Sequence, residues 1–251
     1  MNLELNGKAV LVTGGSKGIG KAIAYAFLDE GAKVGIVGRN EDDLRAAQKE
    51  GIEIFAGDVT DANDRERIIK DFLGKFETID ILVNNAGGSN GSAVMETSME
   101  LFEEAMHLNF LSAVDLSKRA AEVMIGNEAN GSIINISSIF GRESGGKPTY
   151  NASKAALISF TKSFGDEMIK NGIRVNGIAP GSILHETGNW KKRLEQDPDT
   201  INAFVDEHIS AGRFGTVEEV ANVAVFLTSK KASWVVGSTL NVDGGQSYSN
   251  F

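Results

Sequence analysis

Short, unbroken apolar runs alternate along this chain with stretches whose apolar residues recur every three or four positions. A short apolar run bounded by glycine or polar turns marks a strand covered on both faces, and the longer period marks an amphipathic helix. Ala9-Val10-Leu11-Val12 is the first run; a glycine-rich turn from Thr13 to Gly20 follows it, and then Ala22, Ile23, Ala26 and Phe27 at helical spacing. Gly31 stops that helix and Lys33 to Val37 forms the second strand, which completes a βαβ unit. The pattern then repeats: helix Glu41 to Lys49, strand Glu53 to Phe55 leading to Asp58-Val59, helix Asp61 to Phe76 with Asp61 as cap, and strand Ile81 to Val83 running into Asn84-Asn85-Ala86-Gly87-Gly88. Helices are expected over Ser98 to His107 and Asn109 to Ile125, and a strand from Gly131 to Ser137-Ser138. Helix Pro148 to Lys170, strand Ile173 to Ile178 ending at Ala179-Pro180-Gly181, helix Val217 to Leu227 and strand Ser238 to Val242 complete the series. Strand and helix alternate throughout, so the fold class is α/β: one domain over residues 1–251, with a seven-stranded parallel sheet doubly wound by helices on both faces. Residues 185–215 break the rhythm, being charged and without a clean strand, and are expected to form a helical lid over the site.

Size and charge narrow the classes. A 251-residue chain buries roughly 70–75% of its unfolded surface, enough for a full core without a second domain. Twenty-five Lys and Arg against 34 Asp and Glu give a net charge of −9, which argues against a nucleic-acid partner or an anionic membrane surface. With no cysteine, thiolate catalysis, thiolate metal sites and disulfides are all excluded. His107 and His208 have no acidic partners at ligand spacing, so no metal site is expected. No apolar run approaches the ~20 residues of a membrane span, and Met1 to Asn6 has no basic-then-apolar leader pattern, so a cytoplasmic protein is expected.

Candidate chemistry sits where the strands end. Gly14, Gly18 and Gly20, with Ser16, Lys17 and Ile19 between them, let backbone amides approach a pyrophosphate at a helix amino end. The acidic residue that normally binds a ribose 2′-hydroxyl at the end of the second strand is replaced by Gly38, with Arg39 next to it and Lys17 in the glycine turn. Charge-assisted bonds from these two cations would suit a 2′-phosphate, hence NADP(H). Tyr150 and Lys154, four apart in a helical segment, project from one face, and an ammonium beside a phenol favours phenolate. The pair is a candidate general acid, with the Ser138 hydroxyl holding a carbonyl oxygen.

In order, Thr13-Gly14-x-x-x-Gly18-x-Gly20, Asp58-Val59, Asn84-Asn85-Ala86-Gly87, Asn109, Ser138, Tyr150-x-x-x-Lys154 and Pro180-Gly181 resemble the motifs of the compact short-chain dehydrogenases/reductases, over nearly the whole chain. The resemblance implies a Rossmann fold and hydride transfer between a nicotinamide and a carbonyl or secondary alcohol. It also implies Tyr150 as acid/base, Ser138 as carbonyl holder, Lys154 on the nicotinamide ribose and Asn109 on a proton-relay water. Asp58 and Val59 would lie at the adenine, Asn85, Ala86 and Gly87 at the adenosine ribose, and Pro180, Gly181 and Ile183 at the nicotinamide. A homotetramer is implied as well, pairing through the helices from Asn109 and Pro148 and through the carboxyl-terminal strand. Two departures stand out. Ser138 and Tyr150 are one residue closer than is usual in the family, and His185 stands where a threonine often contacts the nicotinamide amide, leaving that contact to Thr187. Many relatives are 3-oxoacyl-carrier-protein reductases, but Ala129, Asn130 and Asn171 occupy positions where those place basic residues for an acidic carrier. The polar groups of Arg142, Glu143, Ser144, Lys147, His185, Trp190, Lys191 and Arg193 instead suggest a small polar carbonyl substrate. A cofactor sensor without chemistry, or an epimerase or dehydratase on the same scaffold, is a more distant reading.

Overall fold

The computed structural model describes residues 2–127 and 130–250. Seven parallel strands are hydrogen-bonded in the order β3-β2-β1-β4-β5-β6-β7. They are β1 (Ala9–Thr13), β2 (Lys33–Gly38), β3 (Ile52–Ala56), β4 (Ile81–Asn84), β5 (Ser132–Ile136), β6 (Arg174–Pro180) and β7 (Thr239–Val242). The order reverses between β1 and β4, which places a crevice above the carboxyl ends of these two neighbours.

The helices are α1 (Gly18–Asp29), α2 (Glu41–Ala47), α3 (Ala62–Phe76), α4 (Met99–Met106), α5 (Ser112–Gly126), α6 (Pro148–Met168), α7 (Asn189–Gln196), α8 (Pro198–His208) and α9 (Val217–Thr228). Residues along each strand alternate between two cores. Val10, Val12 and Ile36 pack with Ile23 and Phe27 of α1, Leu44 of α2 and Val220 and Ala224 of α9. Leu11, Leu82 and Ile133 face Ile68 and Phe72 of α3, Leu116 of α5 and Phe164 of α6. Both faces of the sheet are covered, which is why the strands read as unbroken apolar runs.

The expected elements are all present, with shifted ends. Asp61 lies outside α3 as its cap, accepting from the Asp64 amide. Helix α6 ends at Met168, two residues early, where a 3-10 turn over Ile169–Asn171 runs into Gly172 at φ +75°. The two helices expected on either side of Leu108 are one helical rod: a π turn over His107–Leu111 joins α4 to α5. Residues 185–215 hold two short helices, α7 and α8, and no named strand.

Candidate active site

The glycine turn after β1 is built for close approach. Gly14 and Gly18 have φ of +62° and +52°, where a Cβ is strained. A Cβ on Gly20 would fall 2.3 Å from both Asn85 Nδ2 and Gly14 O. Asn85 Nδ2 donates to the carbonyls of Thr13 and Gly14, and the Asn85 and Ala86 amides donate to Thr13 Oγ1, so the ends of β1 and β4 are laced together. Helices α2, α3, α8 and α9 are capped by the side chains of Asn40, Asp61, Asp197 and Thr216. Helix α1, like α4 to α7, has no side-chain cap, and it carries no acidic residue in its first turn. Its free amides and the cradle without Cβ atoms fit a dinucleotide pyrophosphate.

Beside that turn lies a cleft of about 360 Å³, lined by Ser16, Lys17, Arg39, Asp58, Val59 and Gly87, among others. Lys17, Arg39, Asp58, Val59, Ala86 and Gly87 of the predicted adenosine side line it, whereas the Asn85 side chain is spent on the carbonyls at the end of β1. Their charges are not all free, however. Lys17 Nζ is 2.6 Å from Asp43 Oδ2, a carboxylate at the start of α2. The Arg39 side chain is 74% exposed, and its nearest carboxylate oxygen, on Asp58, is 3.9 Å away. Arg39 is thus the more available cation. Asp58 also accepts from the amide and hydroxyl of Thr60, which orients its carboxylate.

The catalytic candidates converge at the crevice. Ser138 follows β5, is buried, and its Oγ accepts from the Phe140 amide at 3.2 Å. Pro148 opens α6, where its missing N–H costs nothing, and this sets Tyr150 in the first turn with Lys154 one turn later. The Ser138 hydroxyl lies near enough to the Tyr150 phenol to favour its ionised form. Asn109, buried in the π turn, accepts from the Gly88 amide at 2.9 Å and donates to the carbonyls of Gly88 and Ala105 at 3.0 Å. π turns are often found at functional sites. A Cβ on Gly87 would sit 2.8 Å from Asn109 Oδ1 and 3.2 Å from Lys154 Nζ, so only glycine lets these side chains meet the β4 loop.

One expectation is corrected here. Lys154 Nζ does not contact the phenol; it donates to Ile136 O at 2.7 Å and lies 5.6 Å from the centre of the Tyr150 ring. Tyr150 is shifted upward, because burial outweighs the Ser138 hydrogen bond. Burial pushes Lys154 down to about 8. The phenol is therefore held protonated at neutral pH.

On the other side of the crevice, Pro180 ends β6, and the Ser182 amide after Gly181 donates to Gln246 Oε1 at 2.7 Å. Ile183 pairs with Gly215 in a single bridge that closes the base of residues 185–215. Trp190 offers no free face: it stacks on Phe204 at 4.8 Å, packs against Phe214 at 5.3 Å, and lies 5.2 Å from the Arg193 guanidinium. It is the centre of a small aromatic core joining α7 to α8, not a platform for a sugar ring. Arg142 and Glu143 are also engaged elsewhere. Arg142 donates to Thr239 O, and Glu143 Oε2 accepts from the Ser247 hydroxyl and from the Tyr248 and Ser249 amides. Glu143, expected to meet a substrate, instead ties its loop to residues 247–249, and Gln246 has no counterpart among the expected site residues.

A family model described as enoyl-(acyl carrier protein) reductase matches residues 14–247. The chain belongs to the short-chain dehydrogenase/reductase family and is an oxidoreductase of that class. It is 34% identical to 3-oxoacyl-(acyl-carrier-protein) reductase of Thermotoga maritima, across 97% of this chain and 99% of that one. It is equally 34% identical to sorbitol dehydrogenase of Cereibacter sphaeroides, across 97% and 98% of the two chains. L-sorbose reductase of Gluconobacter frateurii, solved with NADPH and L-sorbose, superimposes with a TM-score of 0.93 at 35% identity, covering 99% of this chain and all of the other. Among the described residues no three or more His, Asp or Glu side chains gather to hold a metal ion, and no helix is long and apolar enough to cross a membrane.

Proposed function

We propose that this protein is an NADP(H)-dependent reductase of a small polar carbonyl compound, with Tyr150 as general acid. The observation that carries the reading is the convergence of Ser138, Tyr150, Lys154 and Asn109 on the crevice at Gly87. When bound, the nicotinamide supplies the hydride. Gly14, Ser16, Gly18, Ile19 and Gly20 hold the pyrophosphate side, Arg39 assisted by Lys17 the 2′-phosphate, Asp58 and Val59 the adenine, Asn85 to Gly87 the ribose, and Pro180 to Ile183 the nicotinamide. The Ser138 hydroxyl fixes the substrate oxygen while the Tyr150 phenol donates its proton to it. Because burial keeps that phenol protonated, its resting state suits reduction, and alcohol oxidation calls for higher pH. Lys154, whose Nζ donates to Ile136 O, would hold the nicotinamide ribose, and Asn109, which holds the Gly88 turn, the proton-relay water. Tyr150→Phe tests the assignment: turnover falls about 10²–10⁴-fold with NADPH affinity retained, and near-normal turnover would sink it.

The polar-substrate reading rests on the likeness to the L-sorbose reductase and the sorbitol dehydrogenase. From this chain it draws on Ser144 and Lys147, since Arg142, Glu143 and Trp190 are engaged elsewhere. A second reading, 3-oxoacyl-carrier-protein reduction, is favoured by the Thermotoga relative. Against it, Asn130 and Asn171 replace the expected basic docking residues, and Ala129 lies outside the described residues. A screen of keto sugars and polyols beside an acetoacetyl carrier thioester decides between them. We also propose one domain with 185–215 as its lid, and a homotetramer. Exposed Trp234, Phe226 and Leu240 near β7 and Leu111 and Ile125 on the α5 side are apolar surface that such contacts would cover. A monomer by light scattering would refute the assembly.

A further inference from the structure

The lid touches the glycine turn through one side chain. His185 lies in a slot between Gly18 and Gly188: a Cβ on Gly18 would fall 2.8 Å from its Cε1 and 3.1 Å from each ring nitrogen, and one on Gly188 would fall 2.8 Å from its Nε2. Any larger residue at either position would evict the ring. Nδ1 is 3.2 Å from Thr187 Oγ1, while Nε2 has no hydrogen-bond partner among the described residues. The ring therefore borders the turn whose free amides mark the pyrophosphate position, with one nitrogen committed to the lid and the other available.

We propose that His185 is the lid's contact to the cofactor pyrophosphate: its Nε2 donates to a phosphate oxygen seated at Gly18, most strongly as imidazolium, so that cofactor binding takes up a proton and tightens as pH falls. This rests on the cofactor reading above. The charged and titratable groups around the ring come from each neighbouring element: Lys17 on the turn, Lys21 and Tyr25 on α1, Glu186 on the lid and Glu218 on α9. Lys17 is paired with Asp43, Lys21 Nζ lies 5.4 Å from the centre of the Tyr25 ring, and the Tyr25 hydroxyl donates to Ala47 O. Among these groups the histidine is the one whose ordinary range spans neutrality. Burial lowers it from its ordinary value in the free protein, and the negative charge of the pyrophosphate beside it would raise it again.

NADPH dissociation constants for wild type, His185→Gln and His185→Thr, measured by cofactor fluorescence from about pH 8.5 to about pH 6, test this. The cofactor's own 2′-phosphate titrates near pH 6, so the readout is the ratio of variant to wild-type constants, in which that ionisation cancels. Preferential binding to the imidazolium form predicts that both ratios rise about three- to fivefold from the alkaline to the acid end. Ratios that stay constant with pH would overturn the proposal. So would tighter binding by either variant at every pH, which would make the ring an obstruction rather than a contact. Should no protein in the set bind NADPH at any pH, the cofactor reading itself falls and the inference with it, an outcome distinct from binding without a slope.

Discussion

Replacing Lys154 by methionine should raise the thermal stability of the cofactor-free protein while abolishing its turnover. Lys154 is 3% exposed, and burial lowers its pKa from the ordinary 10.5 to about 8. At pH 7 the folded protein thus keeps a cation that the unfolded chain holds more easily in water, a difference of about 3 kcal/mol. Against this stands the bond from Nζ to Ile136 O at 2.7 Å, whose loss leaves a buried carbonyl and costs about 1–2 kcal/mol. Methionine fills nearly the same volume without charge, so the balance is about 1–2 kcal/mol in its favour. For a chain of this size that is roughly 2–8 °C in melting temperature. The pH dependence gives the reasoning its sharper edge. A depressed lysine pKa means the unfolded state binds the extra proton, so wild-type stability rises as pH climbs from about 8 towards 10.5. The variant has no such gain. Its advantage should be full at pH 7 and shrink across that window. Differential scanning calorimetry at fixed protein concentration reads both effects. A variant no more stable than wild type at neutral pH, or an advantage that does not shrink with rising pH, would refute the account.

Other outcomes follow from single contacts. Arg39→Ala should weaken NADPH binding at least tenfold and leave NADH binding nearly unchanged, since Arg39 is the less engaged of the two cations; equal losses for both cofactors in a titration would count against it. Asp43→Asn frees Lys17 from its 2.6 Å partner and should tighten NADPH binding several-fold, which the same titration reads as a drop in dissociation constant. Glu143→Ala removes the acceptor of three bonds from residues 247–249 and should lower kcat more than it raises KM, with Glu143→Gln recovering part of the loss; an unchanged kcat in steady-state assays would rule that out.

How far the sequence could be read depended on how local the cause was. The strands were legible because α1, α2 and α9 cover one face of the sheet and α3, α5 and α6 the other, which leaves a contiguous apolar signal in each strand. Tyr150 and Lys154 were legible because helix geometry alone places them on one face. What that geometry could not give was the balance of burial against charge. The ammonium turned to Ile136 O, and the phenol's pKa moved up instead of down. Likewise Lys17 looked free because Asp43 meets it across a different element, at the start of α2. Trp190 looked like a binding platform because nothing in the spacing shows that Phe204 and Phe214 cover it. The π turn at Asn109 read as a break between two helices, since one extra residue in a turn disturbs the apolar period as a break does.

The loop between Ser138 and Tyr150 shows how a site segment is held from far along the chain. A glycine-rich loop, with Gly145 and Gly146 folded over Phe140, has little of its own to hold Ser138 against Tyr150. Glu143 fastens it to residues 247–249, and Arg142 fastens it to β7. The same carboxyl-terminal segment reaches the opposite wall, where Gln246 accepts from Ser182, and the end of residues 185–215, where Ser210 and Ala211 donate to Gly245 and Gly244. Three loops that frame the site are thus tied to one segment that leaves β7 at the edge of the sheet, so a shift of that segment would move all three together.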